Sequence, residues 1–204
     1  MKEKKAGKAK EKSVKPLFEP IRAFRTQEDF AAWLEKNHDR SSGLWLRIAK
    51  MSAGTKSVTH PEALELALCY GWIDGIRRSE SETAFLQRFV PRRAKSIWSK
   101  INCAKALALI EGGRMKPAGL AEVERAKADG RWDAAYDSFS AASVPSDFEK
   151  ELQRHPKARA FFKTLNKTNT YAITWRLQTA KRPETRERRI RTFIEMLEKG
   201  ETFH

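Results

Sequence analysis

The sequence contains little cysteine and no long apolar run. Cys69 and Cys103 are the only cysteines among 204 residues, and their spacing is not that of a zinc site or a redox motif. No apolar stretch approaches the roughly 20 residues of a membrane-spanning helix. The lysine-rich start is not followed by the apolar segment of a secretory signal. We therefore expect no integral membrane insertion and a cytoplasmic protein.

Motifs for cofactors and metals are also missing. The glycines form neither a Walker loop nor a Gly-x-Gly-x-x-Gly pattern, and no cluster of histidine and glutamate suggests a metal. The four histidines are scattered, and His60 and His155 are interpreted as ordinary polar positions. The sequence therefore predicts no cofactor and no metal, and it assigns no catalytic residue.

Positive charge, in contrast, is present in excess along the whole chain. Lysine and arginine number 41 against 26 aspartates and glutamates, which gives a formal net charge of +15. Residues 1–15, 16–110 and 111–204 each contribute +5. Such a field attracts phosphate, nucleic acid or anionic lipid, so it predicts an anionic partner. The alternative is a basic surface that only keeps the protein soluble.

The composition is that of a globular chain with an appended tail. Hydrophobic residues make up 40% and charged residues 33%, and a chain of this length can bury a real core. Pattern and composition divide it into a disordered lysine-rich tail at 1–15, an α+β domain at 16–130, a connection at 131–145 and a helical module at 146–204. The expected fold class is α+β, a small sheet with packed helices followed by C-terminal helices.

Local patterns place the elements of both regions. The predicted elements of the α+β domain are helices at 27–38, 60–70 and 100–111 and strands at 44–49, 72–76 and 84–90. The third helix, which Ser99 can cap, carries the apolar residues Ile101, Ala104, Leu107, Ala108 and Ile110. In the helical module, Ser146 and Glu149 have the spacing of a capping box. A long basic helix is expected from Pro183 to Gly200.

Residues suited to binding an anion are densest between positions 70 and 102. Arginines offer planar pairs of donors, tryptophans offer flat faces, and a serine-capped helix start presents free amides. The candidate ligand-binding residues are Trp72, Asp74, Arg77, Arg92, Arg93, Ser96, Trp98, Ser99, Lys100 and Asn102. A phosphate near Ser96 or Ser99 would fit this set. The alternative is a structural network in which Asp74 pairs with Arg77 or Arg92 and Ser99 only caps its helix.

A second basic stretch spans residues 181–191. On a helix, Arg182, Arg186 and Arg189 lie near one face, which could bind a nucleic-acid backbone. A solvated face with ion pairs to Glu184 and Glu187 is the alternative.

Three runs of the sequence resemble one family. They are EALELALCYGWIDG at 62–75, QRFVPRRAKSIWSKIN at 87–102 and TAKRPETRERRI at 179–190. Together they resemble the YdeI/OmpD-associated family, also labelled bacteriocin-protection proteins, over nearly the whole chain after the tail. The resemblance implies a role in tolerance to antimicrobial peptides or bacteriocins and association with an outer-membrane porin. It implies no established enzymatic activity.

These observations predict a non-enzymatic stress or bacteriocin-protection type protein that binds an anionic small molecule or nucleic acid through its Arg/Trp-rich segment. One rival is an enzyme acting on a small phosphorylated or carboxylated substrate, with Asp74 as base and Arg92, Arg93 and Ser99 holding the anion. Non-specific nucleic-acid binding is a further alternative, as is attachment of the lysine-rich tail to a membrane surface.

Overall fold

The computed structural model describes residues 19–204, so the tail predicted to be disordered at 1–15 lies outside the described residues. The described chain forms a four-stranded sheet and a largely helical C-terminal region. The α+β class predicted from the sequence is confirmed. Along residues 19–204, no helix combines the length and the apolar character that crossing a bilayer would require.

The elements follow one another with the strands early and the helices late. The strands are β1 (Ile21–Arg22), β2 (Leu44–Ala49), β3 (Trp72–Ser79) and β4 (Ala84–Pro91). The helices are α1 (Gln27–Asn37), α2 (His60–Cys69), α3 (Lys100–Glu111), α4 (Pro117–Ala128), α5 (Ser146–Arg154), α6 (Pro156–Phe162), α7 (Lys167–Gln178) and α8 (Pro183–Glu198). A short 3₁₀ turn, Met51–Ala53, follows β2.

The sheet has the strand order β1-β2-β4-β3. The short β1 pairs with β2 in parallel, whereas β4 is antiparallel to both of its neighbours. Strand β3 is longer than the predicted 72–76, because its pairing with β4 shifts register between Asp74 and Arg77 and then continues to Ser79. An irregularity of this kind lets a strand continue past a glycine, here Gly75, that the sequence pattern marks as a turn.

The chain packs into two compact units, which are described separately. Of the described residues, the first unit contains 19–67 together with 72–91, and the second contains 68–71 together with 92–204. The predicted boundary at 131–145 was drawn from pattern alone and stays a prediction.

In the first unit, α1 covers the sheet with an aromatic face. Thr26 caps α1 by accepting a hydrogen bond from the Asp29 N–H at 3.2 Å. Phe30 and Leu34, one turn apart, are fully buried, and the Phe30 ring lies 5.9 Å from the ring of Phe89 on β4. The capped helix therefore adds its apolar side to the core of the sheet.

In the second unit, the last four helices enclose a common core. Its buried members are Phe148, Leu152, Ala158, Ile173, Leu177, Phe193, Ile194 and Leu197. The capping box predicted at Ser146 and Glu149 is wrong, because Pro145 occupies the N-cap position of α5 and no side chain makes a capping hydrogen bond there.

Helix α3 has the predicted length, and only part of its apolar surface is buried. Its buried residues are Cys103, Ala106 and Leu109. Ile101 and Leu107 are 48% and 43% exposed. The apolar residues of α3 lie on more than one side of the helix, so the sequence pattern did not identify the side that packs against the core.

Candidate functional site

The residues predicted to bind a ligand divide between the two compact units. Trp72, Asp74 and Arg77 lie on β3 in the first unit. The remaining residues lie in the second unit, in the loop 92–99 or in the first turn of α3.

In the first unit, Asp74 pairs with a histidine. The Nε2 atom of His60, the first residue of α2, lies 2.9 Å from Oδ2 of Asp74, and both side chains are about one quarter exposed. Among the described residues the structure thus gives Asp74 a partner that is neither Arg77 nor Arg92. Sequence reasoning missed His60, because the pairing residues are 14 positions apart on a helix and a strand.

Trp72 and Arg77 are both engaged within the first unit. Trp72 is 1% exposed, donates its indole N–H to the carbonyl of His38 at 3.0 Å and packs edge-on against Trp33. The Nε of Arg77 donates to Gln87 at 3.1 Å, and its guanidinium lies 4.3 Å from the centre of the Phe85 ring. These contacts hold Trp72 in the core and Arg77 against β4.

In the second unit, Arg92 is the most enclosed charged residue among those predicted. It is 6% exposed, and its guanidinium carbon lies 3.5 Å from the centre of the Trp98 ring. Its Nη1 donates to the carbonyl of Ile97 at 3.2 Å. The loop folds back on itself because the Arg93 N–H donates to Ser96 Oγ at 2.9 Å.

The start of α3 uses its polar residues for capping and pairing. Ser99 Oγ accepts a hydrogen bond from the N–H of Asn102 at 3.2 Å, so Ser99 caps the helix. The ammonium group of Lys100 lies 2.7 Å from the carboxylate of Asp137. Arg93 and Lys95 are exposed on the surface of the loop.

A second buried arginine, Arg131, donates a hydrogen bond to this loop from elsewhere in the second unit. It is 5% exposed, its Nη1 donates to the carbonyl of Ser96 at 2.7 Å, and its Nε donates to Asp129. Two guanidinium groups therefore hold adjacent carbonyls, those of Ser96 and Ile97. Arg131 was not among the residues predicted from the sequence, although the neighbouring Trp132 also contacts Trp98, with ring centres 5.0 Å apart.

Several N–H groups at this place have no acceptor within residues 19–204. They are Nε and Nη2 of Arg92, Nη2 of Arg131 and Nε1 of Trp98, all buried. Burial lowers the pKa of Arg92 to about 10, an effect that Glu122 opposes and the charge of Arg131 reinforces. Arg92 remains a cation at neutral pH. A buried cation with unused donors is costly unless an anion or water satisfies it.

The cysteine of α3 does not add reactivity to this region. Cys103 is buried beside Arg92, and burial raises the pKa of its thiol to about 11. The thiol is therefore protonated at neutral pH and is a poor nucleophile.

The second basic stretch is largely committed to internal contacts. Arg186 makes a bidentate pair with Asp147 at 2.6 and 2.8 Å and donates to the carbonyl of Leu177 at 2.6 Å. Arg189 donates to the carbonyl of Arg176. These two arginines of α8 satisfy carbonyls at the end of α7, whereas Arg182 is exposed.

Fold and site together define an α+β protein with a tryptophan-containing loop that holds two buried arginines. Residues 22–122 match a family described as "Domain of unknown function (DUF8412)". Residues 141–200 match the family described as "Bacteriocin-protection, YdeI or OmpD-Associated", which confirms the resemblance predicted from the sequence for this C-terminal segment. No curated protein and no solved structure is significantly similar to the chain.

Proposed function

We propose that this chain is a non-enzymatic protein of the bacteriocin-protection type, and that its Arg/Trp-rich segment binds an oxyanion group of its partner. The observation that supports this proposal is the pair of buried guanidinium groups of Arg92 and Arg131. Some of their N–H groups have no hydrogen-bond acceptor among the described residues. A phosphate, sulfate or carboxylate group would supply both the missing charge and the missing acceptors.

The loop itself favours an anion over a neutral ligand. Arg92 and Arg131 are anchored on neighbouring carbonyls, and the carboxylate of Asp129 pairs with Arg131. The exposed Arg93 and Lys95 add positive charge at the surface of the same loop. Because the unused donors are enclosed, the loop 93–97 has to move to admit the anion. Binding is then expected to change the fluorescence of Trp98.

Thermal unfolding in sulfate or phosphate, compared with chloride at equal ionic strength, tests this site. A ligand at about 100 times its Kd stabilises the folded protein by about 2.7 kcal/mol, and each kcal/mol is worth about 2–4 °C in Tm for a chain of this size. We expect wild-type Tm to rise with the oxyanions. The rise should be lost in Arg131→Gln and partly kept in Arg131→Lys.

Arg40→Gln is the matched control, since it removes one exposed arginine from the first unit. An oxyanion effect of the same size in Arg40→Gln and Arg131→Gln variants would contradict the proposal, as would a wild-type Tm that does not distinguish sulfate from chloride. Should Arg131→Gln fail to fold, Arg93→Gln gives a second measurement, because this exposed side chain can be removed at little cost and is expected to weaken anion binding.

The contact of His60 with Asp74 supports a second candidate function, an enzyme acting on a small phosphorylated or carboxylated substrate. With Asp74 accepting the Nε2–H of His60, the Nδ1 atom becomes the proton acceptor, so His60 rather than Asp74 is the base. The carboxylate then orients the ring and stabilises the imidazolium that forms.

Hydrolysis of p-nitrophenyl phosphate and p-nitrophenyl acetate tests this candidate. General base catalysis contributes about 10²–10⁴-fold, so His60→Gln should lose activity by about that factor and Asp74→Asn should shift the pH dependence of the rate. His155→Gln serves as the control, since His155 lies in the other unit. Absence of turnover by the wild-type protein, or equal rates in the two histidine variants, would exclude catalysis by the His60–Asp74 pair.

A further inference from the structure

A pocket in the second unit shares no residue with the loop 92–99, here called the Arg92 loop. It has a volume of about 330 Å³, and its walls come from the segment before α5, from the end of the loop that precedes α7 and from α7 itself. The lining residues used below are Phe139, Ser140, Lys167, Thr170, Tyr171 and Thr174. Such a volume suits a small organic ligand.

One wall of the pocket is aromatic and partly open to solvent. Phe139 is 50% exposed, and its ring lies 5.2 Å from that of Tyr171 in an edge-on arrangement. Tyr171 is held in place because its hydroxyl donates to the carbonyl of Asp137 at 3.2 Å. A fixed ring beside an exposed one offers a platform for the C–H face of a ring-shaped ligand.

The threonine hydroxyl groups of the pocket have already used their protons, and Ser140 Oγ shares a hydrogen bond with Ser138 Oγ at 3.1 Å. Thr170 Oγ1 donates to the carbonyl of Asn166 at 3.1 Å, and Thr174 Oγ1 donates to the carbonyl of Tyr171 at 3.1 Å. Each threonine oxygen therefore retains only acceptor capacity. A ligand that matches this wall has to donate hydrogen bonds, as the hydroxyl groups of a sugar do.

Lys167 supplies the positive charge of the pocket. It is exposed at the start of α7, whose first turn contains no acidic residue. A cation at the positive end of a helix is unfavourable by itself, and a bound anion would offset this cost. The ligand is therefore expected to carry an acidic group in addition to its hydroxyl donors.

We propose that this pocket binds an acidic sugar, a hydroxylated ring carrying one carboxylate or phosphate group. The ring packs on Phe139, one of its hydroxyl groups donates to Thr170, and its anionic group pairs with Lys167, whereas the buried Thr174 closes the back of the pocket. The pocket shares no residue with the Arg92–Arg131 site, so this inference and the proposed function succeed or fail independently.

Saturation-transfer NMR and chemical-shift titrations with glucuronate, glucose 6-phosphate and glucose test the proposal. We expect saturable binding of both acidic sugars and weaker binding of glucose. Lys167→Gln should weaken the acidic sugars about tenfold, toward the affinity for glucose. Phe139→Ala should weaken all three compounds, and this exposed side chain can be removed at little cost to folding.

Lys163→Gln is the matched control, an exposed lysine that does not line the pocket. The proposal is overturned if the wild-type protein binds neither acidic sugar saturably, or if glucose binds as tightly as glucuronate. It is also overturned if Lys163→Gln weakens binding as much as Lys167→Gln, because the lysine effect would then reflect net charge alone.

Discussion

His155 connects two helices through carboxylates. Its Nδ1 lies 2.8 Å from Glu198 of α8, and its Nε2 lies 3.4 Å from Glu151 of α5. The hydrogen bond to Glu198 is the main cause of a raised pKa for His155, and the contacts with Glu151 act in the same direction. Arg154 also pairs with Glu151, so the imidazolium and a guanidinium share this carboxylate.

The raised pKa of His155 predicts a pH-dependent stability. A histidine whose pKa is higher in the folded than in the unfolded chain stabilises the fold fully below its unfolded value, near 6.5. This stabilisation is lost as the pH rises from there through the folded pKa. We expect the wild-type Tm to fall across this range and the fall to be smaller in His155→Gln. His204→Gln is the control, and a fall unchanged by His155→Gln would refute the assignment.

The side chains in and around the Arg92 loop differ in how far their contacts could be predicted from the sequence. Arg92, Trp98 and Ser99 lie within eight residues of one another, so their proximity could be inferred from the sequence alone. Arg131 reaches Ser96 from 35 positions further along the chain, and nothing local to Arg131 indicates that contact. His60 and Asp74 illustrate the same limit, because only the fold brings their side chains within hydrogen-bonding distance.

Most elements were predictable because their ends are encoded locally. Thr26 and Ser99 make capping hydrogen bonds, and Gly130 and Gly200 follow helix ends with φ of 74° and 71°. Strand β1 was missed, because two residues that pair in parallel with β2 carry no periodicity of their own. Boundaries thus follow from short-range chemistry, whereas weak strands depend on a partner.

The arginines of α8 show why a helical face predicted from periodicity is not yet a binding surface. Arg182, Arg186 and Arg189 were predicted to lie near one face, but Arg182 precedes the first turn of α8 and the other two donate to carbonyls of α7. Their charge stabilises the last turn of that helix, where partial negative charge accumulates. A nucleic-acid backbone would have to compete with these internal contacts for both groups.

At the scale of the whole molecule, the two large segments 16–110 and 111–204 share the charge excess equally, and an equal share lies in the short segment 1–15. The excess of +5 recurs in each of three segments of the sequence, and the predicted basic stripe on α8 is largely committed to internal hydrogen bonds. Summed charge attracts polyanions without selecting among them. Association with nucleic acid should therefore be weak, independent of base sequence and insensitive to where on the surface a charge is removed.

Duplex-DNA binding by two protein variants, each lacking two positive charges, tests this expectation. One variant combines Arg188→Gln with Arg191→Gln on α8, and the other combines Lys36→Gln on α1 with Arg40→Gln just beyond it; all four residues are exposed. Binding should fall with salt by about 0.9 log unit per log unit of salt for each phosphate neutralised, and the two variants should reduce the affinity equally. A loss confined to the α8 variant would instead reveal a localised interface. A salt-independent affinity would exclude electrostatic attraction to the DNA backbone as the source of binding.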